Sequence, residues 1–450
     1  MNGFNVLSRI VIVLLVTLTL GFLNNAKASN KLNEVSSEEM AHVINALNNS
    51  LNDNYIFPEV SEQVKRYIDT KRSSGEYDKY VNGFELAEQL TRDIQDLSKD
   101  KHLRVYFDPM TVEQMESTLL DSEKQQLETE ELEQQKSQNF GFKEVSILAG
   151  NIGYIDLRKF EFPEHAAPTL KAALDFVKHT HSLIFDLRNN GGGSPSMVQL
   201  IISHLLDDEP VLLNDIYKRN LDLTKQYWSL PFVLSERRPN ANVYVLTSGN
   251  TFSAAEDFTY TLKHLKRATI IGETTGGGAH AGGKLPITDR FLVWVPNSRT
   301  INPITQTNWE GVGVKPHIEV AAKKALDRAH VVALEAQISE GVGNLELNQW
   351  YLEHKQAQLN NYVISRQLKQ KYAGSYGIRR LILDGDDLYY QRNRGKKLKL
   401  TAMNDTVFMV EGKDHFRIKV IADGGEVTAI QGLTDSGSIS QNARDEQQDL

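Results

Sequence analysis

Asp186-Leu-Arg-Asn-Asn-Gly-Gly-Gly193 closes a short apolar run, Ser182-Leu-Ile-Phe-Asp-Leu187. Further on, Thr247-Ser-Gly-Asn-Thr-Phe-Ser253-Ala-Ala-Glu256 closes a second one, Asn242-Val-Tyr-Val-Leu-Thr247. Apolar runs this short and continuous are the pattern of strands inside a sheet covered on both faces. Each strand therefore ends on a segment suited to chemistry. After the first, three consecutive glycines permit positive φ and let backbone N–H groups face a ligand with no Cβ in the way. After the second, Ser253 opens a helical pattern of Ala254, Ala255, Phe258, Leu262 and Leu265, which sets its hydroxyl beside the free N–H groups of a helix start. Plainer readings stay open: Ser253-x-x-Glu256 is the spacing of a capping box, and a triple glycine after a strand is also a tight turn.

Working outward, a strand at 152–157 and a helix at 169–177 precede the glycine turn, and a helix from Ser196 follows it. After the serine helix come strands at 269–271 and around 285–295. Strands alternating with helices argue for an α/β sheet. Residues 30–108 read as helical: Met40, Val43, Ile44, Leu47 and Leu51 recur at helical spacing behind Ser36-x-x-Glu39, a capping box. Phe84, Ala87, Leu90, Ile94 and Leu97 repeat that spacing, so His102 lies just past a helix end. Residues 111–138, rich in Glu and Gln, read as a solvated helix or connection without chemistry. After a polar helical stretch at 345–370 the chain turns β-rich at 371–377, 381–390, 407–411, 416–421 and 427–431. Asp384-Gly-Asp-Asp lies between alternating strands and reads as a hairpin turn rather than a metal site.

The amino terminus points out of the cytoplasm. Arg9 precedes fourteen weakly polar to apolar residues, Ile10 to Leu23, and then Ala26-x-Ala28, the pattern of a secretory signal peptide with its cleavage site. The run is shorter than the roughly twenty residues a membrane span needs. Loss of Arg9 and Lys27 with that peptide takes the formal charge from −8 to about −10, a balance that excludes nucleic acid as a natural partner. With no cysteine, disulfides, thiolate nucleophiles and cysteine-ligated zinc are excluded, which suits a periplasmic or secreted chain. The expected organisation is a signal peptide at 1–28, a helical N-terminal domain and connection at 29–140 and an α/β core at 141–345. A helical linker at 346–370, a β-rich module at 371–434 and a disordered tail at 435–450 follow.

The runs DLRNNGGG and LTSGNTFSAAEDF, with the later Trp309-Glu-Gly-Val-Gly-Val-Lys-Pro316, resemble in kind and order the signature blocks of the tail-specific, or C-terminal processing, serine peptidases. The resemblance covers roughly residues 35–320 and is strongest over 183–320. It implies a crotonase-like α/β core. It also implies Ser253 as nucleophile, with the N–H groups of Ala254 and of Gly192 or Gly193 as an oxyanion hole. One branch of the family activates its serine with a lysine in a segment resembling G-x-x-T-x-G-K-G. Here Gly272-Glu-Thr-Thr-Gly-Gly-Gly278-Ala279 puts Gly278 in the lysine's place, and Lys263, Lys266 and Lys284 fall elsewhere.

The other branch, with the tricorn core and the interphotoreceptor retinoid-binding-protein-like peptidases, takes its base from an N-terminal histidine oriented by a glutamate. Asp100-Lys-His102-Leu-Arg-Val-Tyr is similar to that branch's Asp-x-His block, and Glu310 in the Trp309 block stands where the branch has its glutamate. The implied triad is Ser253, His102 and Glu310, in which an imidazole takes the serine proton and a carboxylate steadies the imidazolium. Lys101 departs from the tricorn-like pattern, which carries a serine directly before the histidine. His280, in the glycine-rich loop 276–283, competes as a mobile alternative base, whereas His264 and His317 fit solvent-facing positions.

A PDZ module of about ninety residues, usual in processing peptidases, has no room between 108 and 150, so strict tail specificity does not follow. The resemblance implies a periplasmic or secreted serine peptidase acting on peptides or unfolded segments, with a protein or peptide as its partner and no cofactor or metal. Two alternatives stay open: a catalytically idle apolar-ligand-binding protein on the same fold, and a serine esterase. A histidine base gives an acid limb of the pH–rate profile with an apparent pKa of roughly 6–7.5.

Overall fold

The computed structural model describes residues 33–117 and 121–445; the expected signal peptide and residues 446–450 of the expected tail lie outside them. The chain divides into two units, each discontinuous in sequence. The first comprises the described residues up to Gln134, Leu212–Trp228 and Gly277–Gly313. The second comprises Gln135–Val211, Ser229–Gly276 and the described residues from Val314 onward.

In the first unit, helices Ser37–Asn54, Pro58–Ser73 and Gly83–Ser98 bury Ile44, Leu47, Ile68, Leu90 and Ile94 completely. Burying a side chain of this size stabilises the fold by roughly 1.5–3 kcal/mol. The Ser36 hydroxyl accepts the Glu39 N–H at 3.1 Å, so the expected capping box starts the first helix. Asn82 caps the third by accepting from Phe84 N–H, and Lys99, at φ 59°, ends it in a left-handed turn. That stop releases Asp100 and His102 just past the helix, before strand Arg104–Phe107.

Strand Phe291–Ile301 is the spine of this unit's sheet. It pairs antiparallel with Arg104–Phe107 along its first part, with His280–Pro286 from Leu292 to Arg299, and with Leu212–Lys218 at its end. His280 stands opposite Arg299 in that register. The hairpin of Leu212–Lys218 and Leu223–Trp228 was not foreseen from sequence: the latter strand is almost wholly exposed and shows no burial period. The Glu/Gln-rich stretch forms helices Pro109–Glu116 and Asp121–Ser137.

The second unit is built on a six-stranded sheet in the order Ile318–Glu319, Thr269–Gly272, Asn242–Thr247, Ser182–Asp186, Ile152–Leu157, Phe142–Leu148. All neighbours are parallel except the last pair. Ile152–Leu157 and Ser182–Asp186 are buried at every position, which explains why they read as continuous apolar runs. Ile184 and Leu246 pack with Ala329 and Leu334 of helix Ala325–Glu340. Phe185, its neighbour on the opposite face, meets Phe258 of helix Ala254–His264 with ring centroids 5.4 Å apart.

From Gly374 the same unit holds an eight-stranded antiparallel meander, a barrel-like module with Tyr376, Phe408, Ile418 and Ile430 in its core. Asp384 pairs with Asp387 across a two-residue turn, so the acidic run is a hairpin. The expected disordered tail from 435 is corrected in part: Ile439–Ala443 is a strand on Glu426–Thr434, and the Asp445 N–H reaches the Ser375 carbonyl at 2.9 Å. Its polar, exposed residues hid it because backbone ladder bonds, not buried side chains, hold it in place. Among the described residues, no helix is long and apolar enough to cross a membrane.

Candidate active site

Asn242–Thr247 is buried from Val243 to its end, and the loop after it is fastened before the serine arrives. Ser248 Oγ donates to the Arg188 carbonyl, and Thr251 Oγ1 donates to the Leu187 carbonyl at 2.8 Å. These bonds tie the serine loop to the loop leaving Ser182–Asp186. Ser253 then takes φ 55°, ψ −122°, a conformation that costs a non-glycine residue on the order of 1–3 kcal/mol and persists only when its surroundings enforce it. The enforcement is visible: the Ser253 N–H donates to Glu256 Oε2 at 2.9 Å. Glu256, fully buried, is itself held by Thr275 Oγ1. The expected capping-box spacing thus does more than start a helix. It fixes a serine on a sharp strand-to-helix elbow.

Gly192 and Gly193 sit in positive-φ conformations of 110° and 136°. A Cβ on Gly193 would lie 2.1 Å from the Phe160 carbonyl oxygen, and one on Gly192 would lie 2.8 Å from Ser253 Cβ and 3.0 Å from Ala254 N. Close approach therefore requires both glycines. The two differ in what they can donate. Gly192 N–H is taken by Asn190 Oδ1 at 2.8 Å. Among the described residues, Gly193 N–H and Ala254 N–H meet no acceptor. Ser253, Gly192, Gly193 and Ala254 thus gather in the second unit.

His102 and Glu310 gather in the first, around a residue to which the sequence reading gave no role. Asp100, 1% exposed, accepts the His102 N–H through Oδ1 at 3.0 Å. Its Oδ2 accepts from Tyr55 OH at 3.1 Å and from His280 Nδ1 at 3.0 Å. His280 is correspondingly not mobile: it is buried, and it opens strand His280–Pro286. Glu310 Oε2 accepts the N–H groups of Ala279 and His280 and lies 3.4 Å from His280 Nδ1. Trp309 Nε1 donates to the Gly278 carbonyl at 2.8 Å and Gly311 N–H to the Gly277 carbonyl at 3.0 Å, pinning the two segments together.

The electrostatics follow from burial. Desolvation lowers the His102 pKa to about 4, so its imidazole is neutral near pH 7 and able to accept a proton. Desolvation, and then the charge of Asp100, raise Glu310 to about 7; the His280 ring and the two backbone N–H bonds pull the other way. The Tyr55 hydroxyl is pushed up by its burial and by Asp100, and remains a donor. Asp100, His102 and Glu310 offer ligand atoms within 4.8 Å of one another, a spacing that a cation could use. Asp100 already accepts protein donors on both oxygens, so the set is better matched to holding protons. A cavity of about 550 Å³ adjoins the cluster, lined by Tyr55, Phe57, Lys99, His280, Arg299 and Glu310 among others.

The signals for this cluster were weak in the sequence. Asp100 stood within the recognised Asp-x-His block, but nothing local marks it as a hub. Tyr55 and His280 reach it only through tertiary packing.

Comparison with known proteins gives two family matches. The model for peptidase family S41 matches residues 151–320, and the model for the N-terminal domain of Peptidase_S41 in eukaryotic IRBP matches residues 27–143. Among solved structures, the photosystem II D1 C-terminal processing protease is similar at 24% identity, over 38% of this chain and 43% of that one, with a TM-score of 0.32. A protein of Parabacteroides merdae described as a peptidase is similar at 22% identity, over 63% of this chain and 90% of that one, with a TM-score of 0.43. The tricorn protease is similar at 22% identity, over 40% of this chain and 16% of that one, with a TM-score of 0.28. The chain thus carries the peptidase family S41 domain together with the family's N-terminal domain, and it spans less than half the length of the D1 processing protease, 43%.

Proposed function

We propose that this chain is a serine peptidase that cleaves peptides or unfolded protein segments in the periplasm or outside the cell, with Ser253 as nucleophile, His102 as general base and Glu310 as the orienting acid. The observation that carries the reading is the Ser253 elbow: a strained serine at a helix start, beside two N–H groups that meet no acceptor among the described residues. Ser253 Oγ attacks the scissile carbonyl carbon as its proton passes to His102. The carbonyl oxygen becomes an oxyanion and takes hydrogen bonds from Gly193 N–H and Ala254 N–H, since Gly192 N–H is engaged by Asn190. Collapse breaks the C–N bond, and His102 returns the proton to the leaving amine. Water, deprotonated by His102, then releases the acid from the acyl-enzyme and restores the serine. The apolar run 10–23 with Ala26-x-Ala28 supports export, and the parallel register of the core sheet suits a crotonase-like arrangement.

Labelling by a fluorophosphonate tests the reading, because it needs an activated serine and ignores substrate identity. Modification is expected on the peptide containing Ser253, and an unlabelled protein overturns the proposal.

Two further variants are informative. Glu310→Gln keeps a side chain of similar size but removes its charge, so kcat should fall by roughly a hundredfold or more while the melting midpoint barely moves. A silent variant removes Glu310 from the triad. Gly192→Ala forces a Cβ against Ser253 Cβ at a positive φ. Labelling should slow by about tenfold or more, with a lowered Tm, because alanine is disfavoured at that φ. Wild-type labelling would show that the glycine turn can yield without disturbing the serine.

A further inference from the structure

We propose that His280 is a positioning residue that ties Glu310 to Asp100 through one imidazole N–H and keeps the Glu310 carboxylate charged for His102. This rests on the reading of His102 as base and Glu310 as its orienting acid. His280 Nδ1 faces two carboxylates, Asp100 Oδ2 at 3.0 Å and Glu310 Oε2 at 3.4 Å. A nitrogen at hydrogen-bonding distance from the Asp100 carboxylate carries a hydrogen, and the same N–H edge approaches Glu310 Oε2 more distantly, as an ion-pair contact. The ring is held edge-on by Phe57, with centroids 5.1 Å apart. With the N–H groups of Ala279 and His280, the donors around Glu310 all converge on Oε2. Its Oε1 is buried and accepts no hydrogen bond from the described residues.

Two buried carboxylates this close repel, and the usual relief is protonation of one of them. A shared donor is the alternative relief, and it lets both stay ionised. Other groups facing His280 are Tyr55 from the end of the first helix, His102 past the third, and Glu59, Lys99 and Arg299 around the adjoining cavity.

The test is the rate of fluorophosphonate labelling of the full chain between about pH 5 and 10, for wild type, His280→Ala, His280→Asn and Ser253→Ala. His280→Ala should move the acid limb to higher pH by about one unit or more, with the rate at pH 9 returning to within about threefold of wild type. His280→Asn, whose amide N–H can stand where Nδ1–H was, should keep the limb near its wild-type position. Should His280→Ala fail to fold, His280→Gln, whose amide reaches instead to the Nε2 position, takes its place with the same expected shift. A uniform loss of rate with an unmoved limb would make His280 merely structural, and loss at every pH would make it the base; either overturns the proposal. Labelling of Ser253→Ala equal to wild type overturns the nucleophile reading itself, whereas an unmoved limb with Ser253→Ala unlabelled overturns the role of His280 alone.

Discussion

Ser253→Ala is expected to abolish fluorophosphonate labelling and to lower kcat by at least about four orders of magnitude, because the covalent route disappears with the hydroxyl. The fold should survive. The elbow keeps the bonds from the Ser253 N–H and the Thr275 hydroxyl to the Glu256 carboxylate, and loses only the cap that the serine hydroxyl gives the Glu256 N–H. Removing a helix-start hydroxyl costs at most about 0.5–2 kcal/mol. Circular dichroism and the melting midpoint should therefore match wild type, and a variant that still labels at the wild-type rate would end the assignment of Ser253.

His102→Ala should be nearly as severe, with kcat lowered by about three orders of magnitude or more, since the serine proton then has no acceptor. A variant retaining more than about a tenth of the activity points to another base. The pH profile separates the parts of the relay. Burial holds His102 down to about 4, so between pH 5 and 9 it is already neutral and its own titration does not set the rate. Glu310 is raised to about 7: as pH falls through that range it gains a proton and loses the charge that stabilises the imidazolium. Activity should accordingly fall on the acid side with an apparent pKa near that of Glu310, and Glu310→Gln should flatten that limb. The limb thus stays in the range expected for a histidine, but its owner is the carboxylate. A limb near pH 7 that survives in Glu310→Gln would return the titration to an imidazole.

The features that could be read in advance were those written in local chemistry. Ser182–Asp186 and Asn242–Thr247 are buried along nearly their whole lengths, so their composition announces a two-sided sheet. Ser36 announces a helix start because its cap is satisfied within three residues of itself. The Leu223–Trp228 and Ile439–Ala443 strands could not be read that way. Both are exposed and are placed by the backbone of a partner strand, which leaves little mark on side-chain pattern. The same holds within the site. Ser253 and the two glycines lie in motifs whose geometry is local, whereas His280 is buried by the register of Phe291–Ile301 and by Phe57, and both reach it only through tertiary pairing. Its glycine-rich neighbours suggested mobility because the pairing that removes it is encoded elsewhere in the chain.

The discontinuity of the first unit sets a timetable. Asp100 and His102 come from its first segment, His280 and Glu310 from its last, and Ser253 lies on the chain between them. During synthesis from the amino terminus, Asp100 and His102 are made first, and His280 and Glu310 follow the serine but precede the residues from Val314 onward, which the serine's own unit still needs. A chain that stops short of Glu310 leaves both units incomplete, the second without strand Ile318–Glu319 and helix Ala325–Glu340. The two units are interleaved along the polypeptide, so neither is completed by an uninterrupted stretch of it.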